Sequence, residues 1–297
     1  MKLAVGFFDG VHLGHRRILA GADAALTFSN HPLTILAPEK APPLLMPLHE
    51  RLAAISAALS PKGLTPYVPP QGSDPIHCQG SDPRVKALEF TEAIKGLTPL
   101  EFIDFLHKEY PDLEQIRCGA NWRFGANGCG NADFARRAGV PVEEVPFVMH
   151  DGEAISSTRI RKALSEGDVG NAATMLGRDW SLSGKVFSGK GEGRKIGFPT
   201  LNVHPFERSV PLRRGAYVVD TQWGRAVANW GLSPTMGAAA WKECVLEVHI
   251  LDGNVSNVDL SEMTVFFRRF LRDEKAFASP VELARQIALD CKEASYS

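Results

Sequence analysis

Apolar and polar positions change their rhythm past the middle of the chain. In the first half, short apolar runs are separated by stretches of helical periodicity. Lys2-Leu3-Ala4-Val5 and Ala24-Ala25-Leu26-Thr27-Phe28 suit buried strands, with a short helix from Arg16 to about Ala22 between them. Strand, helix and strand begin a parallel sheet, whose ligands gather at the carboxyl ends of the strands. His49 to Leu59 repeats apolar residues at helical spacing, with Leu52, Ile55 and Leu59 on one face. Leu97 to Phe102 opens a capped helix that continues to His107, with Thr98 at N-cap, Pro99 at N1 and Glu101 at N3. Gln115 to Cys118 reads as a further strand, Val145 to Met149 as the last strand of this half, and Gly170 to Leu176 as its closing helix.

After Arg178 the period shortens to two. Gly184 to Phe187, Ala216 to Val219, Arg225 to Ala228, Val245 to Ile250 and Met263 to Phe267 alternate in the manner of a small antiparallel barrel. One amphipathic helix follows, Pro280 to Lys292, with Leu283, Ile287 and Cys291 on a face. The fold class is therefore α/β plus β. Residues 1–178 form a Rossmann-like domain with a parallel sheet, and residues 179–297 a β-barrel with a terminal helix. Two stretches lack regular pattern. Leu33 to Pro47 is a proline-rich loop over the sheet edge, and Gln71-Gly72-Ser73-Asp74-Pro75 recurs as Gln79-Gly80-Ser81-Asp82-Pro83 in a surface insertion that also holds His77 and Cys78.

Composition narrows the function classes. Apolar residues make up 44% and charged residues 23%, and the net charge of -1 gives no general reason to expect nucleic acid or an anionic membrane as partner. Any phosphate site must be local. The five cysteines are odd in number and include no C-x-x-C pair, which argues against a disulfide framework or zinc site and fits a reducing cytoplasm. No signal peptide is readable and no apolar run approaches the ~20 residues of a membrane span. The expectation is a cytoplasmic protein, monomeric or weakly homo-oligomeric.

Candidate chemistry starts at Gly6-Phe7-Phe8-Asp9-Gly10-Val11-His12-Leu13-Gly14-His15. The strand before it and the helix after it put two imidazoles on one side of a first helical turn, where free N–H groups favour phosphate, while Gly10 and Gly14 let a ligand approach the backbone. Strand, glycine turn, H-x-G-H and helix together resemble the signature of nucleotidyltransferases that join an adenylyl group to a phosphate. Asn30-His31-Pro32 and the glycine-bounded loop Gly119 to Gly125 belong at the same sheet edge, where Arg123 can meet phosphate and Trp122 or Phe124 a planar ring; core packing serves Phe124 equally well. Ser156 or Ser157 caps a helix carrying Thr158 and Arg161, a further anion site.

In the second half, Ser188 to Asn202 is a basic glycine loop leading straight into a strand, unlike a Walker motif, which a helix follows. Thr200 and Asn202 share a strand face and offer the neutral oxygens that Mg²⁺ accepts beside phosphates and water; a plain turn with solvated side chains fits the same residues. Glu247 in Leu246-Glu247-Val248-His249 either takes a proton from an attacking hydroxyl or simply faces solvent, and spacing alone favours the second.

Taken in order, these motifs resemble the prokaryotic bifunctional riboflavin kinase/FAD synthetase family across nearly the whole chain. The matching pieces are Gly6 to His15, Phe28 to Pro32, Leu97 to Phe102, Gly119 to Gly125, Ser156 to Arg161, Leu176 to Arg178, Gly193 to Asn202, Ala228 to Gly231, Pro234-Thr235, Glu247 to His249 and Leu271 to Glu274. Gly197-Phe198-Pro199-Thr200-Leu201-Asn202 is the most distinctive. The resemblance implies an N-terminal FMN adenylyltransferase domain and a C-terminal riboflavin kinase domain, with ATP and flavins as substrates and Mg²⁺ as cofactor. It implies His12 and His15 as catalytic; Gly6, Phe7, Asp9, Gly10, Ser156, Thr158 and Arg161 on the phosphates of one ATP; and Gly189, Gly191 and Gly193 on those of the other. Asn30, Pro32, Asn121 and Arg272 fall near flavin, Thr200 and Asn202 on the metal, and Glu247 is the base. The family pattern has proline-histidine-proline where this chain has Asn30-His31-Pro32, and its first helix is longer. The alternatives are a kinase with weak or absent adenylyltransferase activity, or a non-catalytic flavin- or nucleotide-binding protein.

Overall fold

The apolar runs of the first half are buried on both faces, which is why they lack alternation. In the computed structural model the described residues are 1–59, 82–187, 192–232, 244–251 and 261–296. They divide into two units, one ending at Ser157 and one beginning at Thr158. The repeated pentapeptide with His77 and Cys78, the glycine loop at 188–191 and Pro234-Thr235 lie outside the described residues, apart from Asp82 and Pro83.

In the first unit the elements follow in the order β1 (Lys2–Val5), α1 (Leu13–Leu19), β2 (Ala24–Phe28), α2 (Leu33–Leu36), α3 (Leu48–Leu59), β3 (Val85–Leu88), α4 (Glu92–Gly96), α5 (Pro99–Glu109), β4 (Gln115–Gly119), α6 (Ala132–Arg137) and β5 (Val142–Val145). The five strands are parallel in the order β3-β2-β1-β4-β5. One face packs Leu3, Val5, Leu26, Ile116 and Cys118 against Phe102, Ile103 and Leu106 of α5 and Ala135 of α6. The other packs Ala4 and Ala25 against Ile18 and Leu19 of α1 and Ala54, Ile55 and Ala58 of α3. Burial of Cys118 pushes its thiol up to about 12, so it is a core side chain and not a reactive one.

The capped helix is present with both halves of its capping box, Glu101 N–H donating to Thr98 Oγ1 at 3.3 Å and Thr98 N–H to Glu101 at 2.8 Å. Four expectations for this unit need correction. α1 starts and ends three residues earlier than the expected Arg16 to Ala22, because His12 caps it. The last strand is β5, Val142–Val145; Pro146 follows it, Phe147 and Met149 are exposed, and Met149–His150 (β6) pairs with Glu153–Ala154 (β7) in a small hairpin. The 33–47 loop contains α2 and a helical turn at Pro38–Lys40. The buried face of α3 carries Arg51, Ala54, Ile55, Ala58 and Leu59, while Leu52 is only half-buried.

The shortness of α1 has a local cause. Arg117 of β4 reaches its C-terminal end, Nε donating to Ile18 O at 3.0 Å and Nη2 to Arg17 O at 3.3 Å, while Nη1 pairs with Glu143. The guanidinium satisfies carbonyls that another helical turn would have used. Gly21 makes the room: a Cβ there would lie 2.4 Å from Arg117 Cζ.

α7 (Ser157–Glu166) spans the division, and α8 (Val169–Leu176) packs on the barrel strands β8 (Trp180–Phe187) and β13 (Glu262–Asp273). Between those two strands in sequence come α9 (Glu192–Lys195), β9 (Leu201–Pro205), β10 (Gly215–Thr221), β11 (Gly224–Leu232) and β12 (Cys244–Ile250). The single turn α9 corrects the expectation that the glycine loop runs straight into a strand. The barrel closes in the order β10-β11-β12-β9-β8-β13, every pair antiparallel. Trp180, Tyr217 and Phe267 meet in the core, with ring centroids 5.1 and 5.3 Å apart. Outside, α10 (Pro280–Ser295) covers Val218 and Val227 with Ala294 and Cys291.

We expect Gly21→Ala to displace the Arg117 guanidinium and destabilise the first unit by about 1–2 kcal/mol, the scale of a lost cap or charged hydrogen bond. In an Arg117→Met background the same change should cost almost nothing. Urea unfolding of the four proteins in the cycle measures the coupling; equal costs in both backgrounds would refute the account.

Candidate functional site

The loop leaving β1 holds a conformation that L-residues avoid. Phe8 sits at φ 55°, Gly10 at 77° and Val11 at 41°, and a β-branched residue in the left-handed region is strained. Several bonds hold it there. Gly6 N–H donates to Leu26 O at 3.1 Å, Thr27 Oγ1 to Phe7 O at 2.9 Å, and Ser157 Oγ to Asp9 O at 2.9 Å. Leu45 N–H donates to both carboxylate oxygens of buried Asp9 at 3.1 Å. Phe8 and Val11, both 2% exposed, anchor the loop in the apolar layer under α1 and α3. The Asp9 carboxylate thus supports the loop from behind.

His12 is the N-cap of α1, and its Nδ1 accepts from His15 N–H at 3.3 Å. An accepting Nδ1 places the proton of the neutral ring on Nε2, so the side chain presents an N–H donor there. The His15 ring stacks on it with centroids 3.6 Å apart and planes 19° from parallel. Gly14 leaves room for this packing: a Cβ on it would come within 3.1 and 3.2 Å of His12 Cε1 and Nδ1, a tight approach to the ring. The sequence reading gave Gly14 to ligand approach; the His12 ring uses that space instead.

The turn after β2 is built by side chains. Asn30 Oδ1 accepts from Phe90 N–H at 2.7 Å and Asn30 Nδ2 donates to Phe90 O at 3.0 Å, which extends the β2–β3 ladder by one step beyond the strands. Proline at this position, as in the family pattern, has no side-chain amide to do so. His31 Nδ1 accepts from Leu33 N–H at 3.1 Å, and Pro32 sits at the N-cap position of α2. Of the Asn121 loop, Asn121 and Arg123 are exposed, whereas Phe124 is buried in the core with Trp122 stacked on it at 4.4 Å. Ser156 precedes α7, and Thr158 and Arg161 stand on its first turns.

In the second unit the strand register does the assembling. Asn202 of β9 pairs with Glu247 of β12, Glu247 with Asn229 of β11, and Asn202 with Phe187 of β8. Directly paired residues share a face, so Asn229, Glu247 and Asn202 form one row on the outside of the barrel, opposite the buried Trp230, Leu246, Val248 and Val203. Glu247 is exposed and Asn202 is 7% exposed. His249 Nδ1 is 2.8 Å from Pro199 O, and its ring meets Phe198 edge-on at 5.3 Å. That bond holds the Phe198-Pro199-Thr200 turn against β12. Gly193 lies beneath the turn, its N–H-to-carbonyl neighbour Phe198 donating to Gly193 O at 2.8 Å; a Cβ on Gly193 would lie 2.3 Å from Phe198 O.

Gly189 and Gly191 fall outside the described residues. Arg272 is engaged by Asp290 of α10, donating from Nε at 3.1 Å to both oxygens and from Nη2 at 2.7 Å. Asp290 is 4% exposed and also accepts from Gln286 at 2.9 Å, so Arg272 fastens the terminal helix to the barrel. Beside that helix a cavity of 440 Å³ is lined by Ile196, Pro280, Val281, Ala284, Arg285 and Ala288.

Sequence reasoning missed Asn229, the structural duty of His249, and Arg51. The first two are polar positions within strands, but only the register reveals which neighbours they meet. Arg51 had a visible signal: a cation at helical spacing from Ala54, Ile55 and Ala58.

Two family models match the chain, FAD synthetase over residues 1–59 and 79–159 and riboflavin kinase over residues 176–297. Proteins named bifunctional riboflavin kinase/FMN adenylyltransferase are similar throughout. That of Pseudomonas fluorescens is 33% identical, the match covering 96% of this chain and 89% of the relative. That of Escherichia coli is 33% identical, with 97% and 90% covered, and that of Bacillus subtilis 28% identical, with 98% and 90% covered. A crystal structure named as a macrolide-efflux protein from Streptococcus pneumoniae aligns with a TM-score of 0.81 at 25% identity, over 99% of this chain and 93% of that one. Among the described residues no helix is long and apolar enough to cross a membrane. With an H-x-G-H loop on a parallel sheet, an Asn–Glu row on a closed barrel, and relatives matched over both, the chain belongs to the bifunctional riboflavin kinase/FMN adenylyltransferase family.

Proposed function

We propose that this chain makes FAD from riboflavin in two steps, riboflavin to FMN on the barrel and FMN to FAD on the parallel-sheet unit. The observation that carries the first step is the aligned row of Asn202, Glu247 and Asn229. Glu247, exposed on that row, is the base that takes the proton from riboflavin's terminal hydroxyl as its oxygen attacks the γ-phosphorus of ATP and ADP leaves. Thr200 and Asn202 fit a hard cation: both offer neutral oxygens, Asn202 from a buried position beside a carboxylate, so they would hold Mg²⁺ with the ATP phosphates. When bound, Mg²⁺ supplies neutralisation of phosphate charge. His249 sets the position of Thr200 through Pro199 O. Arg272 contributes on the flavin side by fixing α10 to the barrel through Asp290.

For the second step, the FMN phosphate attacks the α-phosphorus of ATP and pyrophosphate leaves, with no covalent enzyme intermediate. His12, presenting Nε2–H, and the stacked His15 stabilise the phosphate charge that accumulates as pyrophosphate departs. The strained Gly6–His12 loop, with Phe7, Asp9 and Gly10, gives the triphosphate a cradle; by resemblance to the family, Ser156, which precedes α7, and Thr158 and Arg161 on its first turns are further phosphate donors. Pro32 and Asn121 border the flavin. Asn30, whose amide is bonded to Phe90, contributes by fixing the turn. The domains are taken as 1–178 and 179–297, and the location as cytoplasmic.

Chromatography of a reaction containing riboflavin, ATP and Mg²⁺ tests the whole reading. FMN followed by FAD is expected; FMN alone points to a kinase without effective adenylylation, and unchanged riboflavin overturns both activities. Asn202→Ala should abolish FMN formation while added FMN is still converted to FAD, and loss of both conversions would refute separate sites. Gly14→Ala, by pushing the His12 ring, should slow FMN-to-FAD conversion on the order of 10-fold to 100-fold without changing riboflavin phosphorylation. An unaltered rate would mean that the ring position is irrelevant.

A further inference from the structure

Arg51 occupies a place where the helical pattern of α3 calls for an apolar residue. It is 1% exposed and lies on the face of α3 that Ala54, Ile55 and Ala58 press into the apolar layer. Nη2 donates to Phe28 O at 2.6 Å and to Ser29 O at 3.2 Å, the last carbonyl groups at the exit of β2. Its guanidinium lies over the Phe7 ring, 4.0 Å from the centroid, and Phe7 meets His31 edge-on at 4.5 Å. Among the described residues Nε and Nη1 have no hydrogen-bond partner, so the group is buried with only part of its donor capacity used there. Burial pulls its pKa down to about 10, with Asp9 opposing the fall, and it remains a cation near neutral pH.

A buried, partly satisfied cation is an expensive way to fill a helix face; leucine or methionine would fill it without the desolvation cost. What an apolar residue cannot do is bond two strand-exit carbonyls and stack on an aromatic ring at once. The planar guanidinium does both. Phe7 belongs to the loop that leaves β1, and Phe28 and Ser29 lead into the Asn30–Pro32 turn that leaves β2. The two segments are those assigned above to ATP and to FMN.

We propose that Arg51 is a positioning residue for FMN adenylylation, a clamp that fixes the spacing between the triphosphate loop at Phe7 and the flavin turn at Ser29–Pro32. It touches neither substrate; its effect passes through the Phe7 ring and the β2 exit. This rests on the assignment of the first unit to FMN adenylylation. The spacing determines whether the FMN phosphate reaches the α-phosphorus in line, so loosening it lowers turnover and weakens FMN binding even in a protein that is fully folded.

The experiment compares wild type, Arg51→Lys and Arg51→Met in full-length protein, measuring kcat and KM for FMN and ATP in FAD formation. Riboflavin phosphorylation and thermal unfolding are followed in parallel. Lysine keeps the charge and can reach a carbonyl but cannot lie flat on Phe7. For Arg51→Lys we expect a several-fold rise in KM for FMN and a fall in kcat at temperatures well below its unfolding transition, with riboflavin phosphorylation unchanged. Arg51→Met should lose on the order of 10-fold to 100-fold in kcat for FAD formation. If Arg51→Met does not fold, Arg51→Lys alone decides. Wild-type kcat and KM in folded Arg51→Lys would overturn the clamp, as would losses that vanish whenever the variants are fully folded. A wild-type protein that makes FMN but no FAD would instead overturn the assignment on which the clamp rests, a different and recognisable result.

Discussion

The first unit depends on keeping a strained loop at the carboxyl edge of its sheet. Phe8 and Val11 hold left-handed backbone that costs of order 1–3 kcal/mol each, and they persist there because the surroundings leave no alternative. The Asp9 carboxylate takes Leu45 N–H, Thr27 and Ser157 hold the carbonyl oxygens of Phe7 and Asp9, and both strained side chains are sealed in the core. Once the loop is fixed, His12 has one place to go: it caps α1, packs where Gly14 lacks a side chain, and stacks on His15. The site is therefore paid for by the packing of the layer under α1 and α3.

The second unit has no such strain in the row proposed above for phosphoryl transfer. An antiparallel ladder places Asn229, Glu247 and Asn202 side by side as a consequence of register alone. A slip by one residue would turn that row into the core and expose Leu246 and Val248, so the burial that stabilises the barrel also guarantees the site. Loops add the rest: His249 ties the Phe198–Thr200 turn to the ladder, and Gly193 clears the space beneath it. The two sites thus differ in what a mutation can disturb. One depends on a loop supported from several sides, the other on strands whose pairing few single changes can shift.

Much of this was legible in the order of residues. The central strands β1 and β2 announce themselves as apolar runs, and Thr98, Pro99 and Glu101 announce a helix start by local chemistry. The antiparallel strands showed as alternation, though their lengths did not. Pairing extends a strand past its apolar stretch, which is how β13 came to run from Glu262 to Asp273. The Val145–Met149 strand differs because the three apolar residues after Pro146 suggest burial, whereas Phe147 and Met149 are exposed. The family likeness rested on motifs such as Gly197 to Asn202, whose residue types survive in the sequence whatever their contacts.

The sequence by itself determined the two-part architecture, the element order and the residue types that can handle phosphate and a hydroxyl proton, because these follow from local periodicity and side-chain chemistry. Only the tertiary structure decided their partnerships. That Asn30 bonds Phe90, that Arg272 is engaged by Asp290 on the terminal helix, that Arg117 ends α1, and that Arg51 lies on Phe7 are contacts between residues from 18 to 99 positions apart, or brought together across separate elements. No periodicity encodes such pairings. They arise when the sheet, the barrel and their helices close, and the remaining polar groups must find partners in the space that is left.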